Sequence, residues 1–488
     1  MLSRKLQLCS TAEDLFQTLF ADEPYAFWLD SSRHQKGEAR FSFLGATNGP
    51  ESYRVDSFVN GGTKLLRTDG HVEAIDRDIF RFLEQRLASL AVETDRPLPF
   101  DFHGGFLGYL GYELMAVTEG VSGHGSMMPD ASLLFIDRFL AIDHNTDELY
   151  LVALHTGELE SAKAWLALVE ATLGRLSAGH RAGIKRPTRL LTPANIEPYL
   201  LYDRDAYLQR IARAKQMILA GETYEICLTN RVRVPLADSR PDTLLAAYLA
   251  LRQINPAPYA SFLRLGSVSV LSSSPERFLK ITSDGKVETK PIKGTMRRSA
   301  DSKEDEANRQ HLLTSEQYFS EHLMIVDLLR NDLTRSCVPG SVHVPALMEV
   351  ESYATVHQLV STIRGTLEQS PVRCIANCFP GGSMTGAPKK RTLEIINDLE
   401  DAPRGIYSGA IGYLSLNGAV DLSIVIRTVV VQDTLAEIGV GGAIIHLSEP
   451  EEEYQEMLLK AFAPFSAIAP LAAVESASRE EQPAQVNA

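Results

Sequence analysis

The chain is short of the features that mark membrane, secreted or nucleic-acid-binding proteins. Nowhere do about 18 apolar residues run uninterrupted, the length a helix needs to span a bilayer. Cysteine is scarce: Cys9, Cys227, Cys337, Cys374 and Cys378 are odd in number and scattered over 488 residues, which suits reduced thiols rather than a disulfide framework. Cys374-x3-Cys378 has no second Cys/His pair at matching spacing, so buried helical thiols are expected there rather than a metal site. Long basic runs are missing and the formal charge is 48 − 62 = −14, which argues against nucleic acid or an anionic membrane as a partner. The opening Met1–Cys9 segment has no apolar signal core and turns acidic by Glu13, so a cytoplasmic location is expected. What remains, 44% apolar and 23% charged, is ordinary globular composition.

Two glycine-rich stretches lack the order that nucleotide loops require. Gly104-Gly-Phe-Leu-Gly-Tyr-Leu-Gly-Tyr112 is not G-x-G-x-x-G, and its glycines are expected to let a strand approach other backbone closely. Phe379-Pro-Gly-Gly-Ser-Met-Thr-Gly-Ala-Pro-Lys-Lys390 has the four-residue glycine gap of a phosphate loop, but Ala387 and Pro388 stand where Lys-Ser/Thr is obligatory. A Walker-type ATPase is excluded. The loop precedes a helix expected over 393–399, whose N-terminal amides could hold a carboxylate.

What is present reads as short strands interrupted by helices. Tyr25–Leu29, Arg40–Leu44 and Leu149–Ala153 have strand character. Helices are expected over 79–90, over 158–176 with Trp165, Leu168, Val169 and Leu173 inward, and over 205–220, stopped by Gly221. The basic Gly/Pro-containing segment 179–187 reads as a linker or exposed crossing loop. It divides an N-terminal region (1–185) from a second region (200–466), followed by a tail (467–488) expected to be disordered.

Three constellations after residue 270 could carry chemistry. Ser272-Ser-Ser-Pro-Glu276 and Thr289-Lys-Pro-Ile-Lys-Gly-Thr295 read as parts of a hairpin that could bring Glu276 near Lys293. A lysine whose pKa is lowered by desolvation or a nearby cation is a nucleophile; the other reading is a side chain snorkelling to solvent. In Glu321-His-Leu-Met-Ile-Val-Asp-Leu-Leu-Arg-Asn-Asp332, helical spacing puts Leu323, Val326 and Leu329 toward the core and Glu321 elsewhere. Ser448-x-x-Glu451 reads as a capping box with Pro450 in the first turn. Beyond it, Glu453, Glu456 and Lys460 share one helix face. Capping explains that acidity without function; alternatively, hard oxygens from two helices suit Mg²⁺.

Together these segments resemble the chorismate-utilising enzymes that include the synthase components of aminodeoxychorismate and anthranilate synthases. Gly221-Glu-Thr-Tyr-Glu-Ile-Cys-Leu-Thr229, the Ser-Pro-Glu turn, Tyr407-Ser-Gly-Ala-Ile-Gly-Tyr413, Ile426-Arg-Thr428 and the closing Glu-Tyr-Gln-Glu456 carry the resemblance over 200–466. Phe27-Trp-Leu-Asp-Ser-Ser32 and the glycine-rich run carry it more weakly before that. The resemblance implies an α/β fold, two facing and mainly antiparallel sheets with outer helices and the substrate in the cleft between them. It implies Mg²⁺ on Glu321 and Glu456 with Glu453 nearby, and Arg427 and Tyr407 holding a substrate carboxylate, with Thr295 and Lys460 also lining the substrate. Glu276 matches a general acid/base and His357 an active-site histidine. Pro-Ile-Lys-Gly-Thr around Lys293 matches the aminodeoxychorismate-forming branch, in which lysine bonds transiently to the ring; the anthranilate branch generally has Ala there. Relatives that add water carry a lysine where this chain has Glu225.

The expected activity is therefore amination of chorismate at C4 for p-aminobenzoate and folate supply. Nothing resembles a glutaminase, so a separate glutamine amidotransferase is the expected ammonia source. Anthranilate synthesis and a non-catalytic regulatory subunit are the alternatives. Two departures stand out: Tyr318 occupies the place of a supporting acid one turn before Glu321, and His322 stands where that branch often has Asn. The Trp28-Leu-Asp-Ser31 segment leaves tryptophan binding in the N-terminal half as a further expectation.

Overall fold

The computed structural model describes residues 1–31, 40–157, 159–175, 191–353 and 356–473. The expected linker at 179–187 and the chain from 474 onward lie outside the described residues. Seven residues of the expected tail do not: the last helix, Pro450–Ile468, runs into it, and Ala472 bridges to Leu236.

Strand alternation builds the architecture. In strand Tyr25–Asp30, Ala26 and Trp28 enter one core cluster while Phe27 enters another. In strand Ala131–Ile136, Leu133 and Phe135 face one side and Leu134 and Ile136 the other. Period-two alternation with both faces apolar is what a sheet needs when it is covered twice. Two sheets result, and among the described residues their strands pair antiparallel. The first runs from strand Leu2–Gln7 at one edge to Glu225–Pro235 and Gly386–Ala387 at the other; the second runs from Ile292–Arg297 to Val72–Ile75. An aromatic layer with Phe27, Phe43, Phe102, Phe139 and Tyr413 fills the space between them. Helices cover the outer faces, Pro241–Ile254 and Pro450–Ile468 on the first sheet and Ile79–Ala88 and Glu316–Thr334 on the second.

The regions before and after residue 185 share both sheets. Strand Tyr25–Asp30 pairs with Tyr259–Leu265, and Gly105–Leu110 pairs with Ala410–Ser415. The glycines of that run allow this close approach: a Cβ on Gly105 would lie 2.5 Å from the Leu414 carbonyl oxygen. No helix among the described residues is long and apolar enough to cross a membrane.

Several local readings need correction. Leu168 is exposed on helix Leu159–Leu173, whose inner face is Ala162, Trp165, Leu166 and Val169. Leu323 is also exposed; the inner face of Glu316–Thr334 is instead His322, Ile325, Val326, Leu329 and Leu333. The Ser448 capping box does not form, because the helix begins one residue later with Glu449 as its cap, and Ser448 Oγ accepts the Ile445 N–H at 3.1 Å. The first-turn proline and acids are as expected. All five cysteines are free, and Cys374 and Cys378 are buried on helix Pro371–Cys378.

Candidate active site

Lys293 lies on an edge strand, Ile292–Arg297, opposite Leu359 of strand Val356–Thr366. Its side chain is 9% exposed, and Nζ donates to Glu225 Oε1 at 2.9 Å and to Glu321 Oε1 at 2.6 Å. Glu225 opens a strand of the opposite sheet, and Glu321 sits in the second turn of helix Glu316–Thr334. Both sheets and an outer helix thus converge on one ammonium. The expected lowering of the lysine pKa is not what the surroundings produce. Burial works against the charge, but attraction and hydrogen bonds from Glu225 and Glu321 outweigh it, and the pKa stands well above that of an ordinary lysine. At rest Lys293 is an ammonium, and it must shed a proton before it can attack carbon.

Glu276 is buried at the turn before strand Arg277–Ile281, where burial pushes its pKa up to about 7 against a hydrogen bond from Ser383 and the charge of Lys293. The structure thus brings Glu276 and Lys293 into electrostatic contact at the open end of the expected hairpin, in which Arg277 of strand Arg277–Ile281 faces Lys290 of strand Lys286–Lys290; beyond Pro291 the lysine strand goes on to pair with Val356–Thr366. Opposite lies helix Pro450–Ile468. Burial raises Glu453 to about 7, with Glu456 and Glu321 adding repulsion. Glu456, half-exposed, is held below the usual carboxylate range chiefly by Lys460, whose Nζ lies 2.7 Å from its Oε1. Lys460 Nζ also donates to the Gly441 carbonyl oxygen at 3.1 Å.

Arg427 adopts a left-handed backbone, φ +54°, and its Nη1 donates to the Lys460 carbonyl oxygen at 3.2 Å. Its charge is felt by Glu456. A non-glycine residue held in that conformation is a mark of functional sites. The ring of Tyr407 lies flat on Gly439, where a Cβ would come 2.0 Å from Tyr407 Cγ. Substitution Gly439→Ala should therefore displace the ring and cost about 1–3 kcal/mol by overpacking, seen as a lower melting temperature.

The donor chemistry suits a hard divalent cation. Three carboxylates, Glu321, Glu453 and Glu456, repel one another from two facing helices, and carboxylate oxygen is what Mg²⁺ takes. At present Glu321 and Glu456 each hold an ammonium instead, and no group of three such side chains among the described residues is drawn together tightly enough to hold an ion. The Tyr318 ring packs beside Gly294 and its hydroxyl feels all three acids.

Other candidates fall outside this cluster of contacts. The His357 ring nitrogens are taken by Ser352 Oγ at 2.8 Å and Asp305 Oδ1 at 3.1 Å, so the histidine fastens helix Ser302–Thr314 to its strand. Thr295 is exposed beyond a register shift in the lysine strand, and its Oγ1 accepts from Gln358. Asp30 is already engaged by Arg252, Ser42 and Tyr248, and Ser31 Oγ donates to the Phe41 carbonyl oxygen. Ser32 lies outside the described residues.

Two elements of the site escaped the sequence reading. In the sequence Glu225 stands out only as the absence of the lysine that water-adding relatives carry. The other is the buried Arg404–Glu400 pair at 2.7 Å. Arg404 also donates to the Met384 and Cys227 carbonyl oxygens and to Ser408 Oγ, and lies over the Tyr112 ring at 4.3 Å, while Glu400 accepts from Thr229. The i, i+4 spacing was the available signal. Arg404→Met should cost about 3–5 kcal/mol in a denaturant titration, because it strands a buried carboxylate.

The family model for chorismate binding enzymes matches residues 42–466. An aminodeoxychorismate synthase from Streptomyces pristinaespiralis is 45% identical over 98% of the chain and 66% of its own length. The chain spans about half to two thirds of the length of the first curated relatives it matches. Anthranilate synthase component 1 from Acetivibrio thermocellus is 32% identical, covering 92% of this chain and 91% of the relative. The solved structure of anthranilate synthase component I from Streptococcus pneumoniae superposes with a TM-score of 0.73 at 27% identity, over 88% of this chain and 93% of that one. With two large sheets, a buried lysine between acids and a family match over residues 42–466, the chain belongs to the chorismate binding enzymes.

Proposed function

We propose that this chain aminates chorismate at ring C4, giving 4-amino-4-deoxychorismate for p-aminobenzoate and folate supply. The reading rests above all on Lys293, an amine held inside the cleft by Glu225 and Glu321 within the Pro-Ile-Lys-Gly-Thr segment. Chorismate presents two carboxylates and a C4 hydroxyl that must leave before nitrogen can bond. Arg427 and Tyr407 seat a carboxylate; a guanidinium fork suits that geometry. Glu321 and Glu456, with Glu453 nearby, would hold Mg²⁺, which when bound would supply positive charge to offset that of the ring carboxylate.

Once deprotonated, Lys293 Nζ forms a bond to C2. The ring double bonds shift, the C4–O bond breaks, and Glu276 delivers the proton with which the hydroxyl departs as water. Ammonia then bonds to C4, the double bonds shift back, and the lysine nitrogen leaves C2. A separate glutamine amidotransferase supplies that ammonia, and ammonium salts at alkaline pH replace it. Anthranilate synthesis is the second reading, favoured by the likeness to anthranilate synthase component I and opposed by Lys293.

Incubation of the chain with chorismate, Mg²⁺ and ammonium chloride, followed by mass analysis, separates the two. Aminodeoxychorismate with its enolpyruvyl group intact supports the proposal. Anthranilate with free pyruvate supports the second reading, and unchanged chorismate contradicts both.

A further inference from the structure

The proposed reaction gives Glu225 no chemical step of its own, yet it is fully buried against the reacting amine. It opens strand Glu225–Pro235, paired to Ala387 on one side, while Ile226 beside it pairs with Ile444 on the other. The residue is fully buried. Oε1 accepts from Lys293 Nζ, whereas Oε2 is buried and meets no hydrogen-bond donor. Leaving a carboxylate oxygen dry and unpartnered forfeits its hydration with nothing in exchange, and native interiors seldom do so without a purpose. Whatever completes Oε2 must bring an N–H or O–H into the cleft beside the lysine.

The geometry points to Glu225 as a catalytic residue that seats the incoming nitrogen on Oε2 and carries its surplus proton to the departing lysine. The inference rests on the proposed amination. C2 and C4 of the ring flank a single carbon, so the nitrogen leaving one and the nitrogen reaching the other lie within reach of one carboxylate. In the step itself, the ammonia lone pair forms the C4–N bond. The C4=C5 and C6=C1 double bonds become C5=C6 and C1=C2, and the C2–N bond breaks with its electron pair returning to Nζ. The new C4 ammonium gives one proton to Glu225, and Glu225 gives one to Nζ. Ammonia plus the lysine adduct thus become product plus free lysine, and the carboxylate ends as it began.

Glu225→Gln tests this, since the amide keeps the size of the side chain and an acceptor for Lys293 but cannot relay the proton. With chorismate and Mg²⁺, intact-protein mass spectrometry of the variant should show an adduct of chorismate less one water. That adduct should persist after ammonium is added, while turnover falls by about 10²–10⁴-fold. Glu225→Asp, which restores a carboxylate, should recover part of the loss and clear the adduct. Wild-type turnover in Glu225→Gln would overturn the inference. So would a folded variant, judged by an unchanged melting temperature, that never forms the adduct, because Glu225 would then serve only to set up the lysine. A wild-type chain that makes neither adduct nor product would count against the proposed amination itself, a failure distinguishable from either of these.

Discussion

Lys293→Arg should abolish aminodeoxychorismate formation, lowering kcat by on the order of 10³-fold or more, because removing a covalent nucleophile removes the step it performs. Arginine is the informative substitution. It keeps a permanent cation between Glu225 and Glu321, so a merely electrostatic or structural lysine would tolerate it. Guanidinium does not deprotonate in proteins, and a nucleophilic role would not tolerate the change. Lys293→Ala should be as inactive but less stable, since it leaves Glu225 buried without its ion-pair partner. Steady-state product assays alongside thermal melting distinguish the two variants.

Glu276→Gln should lower kcat by about 10²–10⁴-fold for loss of a positioned proton donor. The sign of the pH dependence follows from the protonation state the role requires. Burial raises the Glu276 carboxyl from the ordinary glutamate value to about 7, so it keeps its proton below neutrality and releases it above. A group that must donate is therefore ready at pH 6 and spent at pH 8. The wild-type rate at saturating ammonia should fall as pH rises through about 7, and Glu276→Gln should lack that limb of the profile. A limb that survives the substitution would assign the titration to another group.

Much of this was legible in the chain because it depends on local pattern. Phe27 set between Ala26 and Trp28 announces a strand covered on both faces, and Arg204–Leu219 ends where Gly221, at φ +76°, says it should. Lys293, Glu276, Glu321, Glu456 and Arg427 could be picked out by motif, and the structure gathers them into one cluster of interacting charges. The electrostatic state of the lysine was not legible: it is decided by Glu321 together with Glu225, 68 residues away on the other sheet, and sequence spacing carries no information about partners brought together by tertiary pairing. The same limit applies to His357, whose partners Ser352 and Asp305 become visible only when helix Ser302–Thr314 is laid across its strand. Leu323 failed for a different reason. On helix Glu316–Thr334 the apolar stripe is broad enough that periodicity alone admits more than one inner face, and burial of His322 against Ser361 at 2.7 Å selects among them.

The most direct test of the account is to mix the wild-type chain with chorismate and Mg²⁺ without any ammonia source, quench with acid, digest, and map the peptides by mass spectrometry. The account predicts that the peptide containing Lys293 gains chorismate less one water, and that the gain disappears when ammonium is supplied before the quench. Consumption of chorismate with Lys293 unmodified throughout, or with the added mass on another residue, would contradict it.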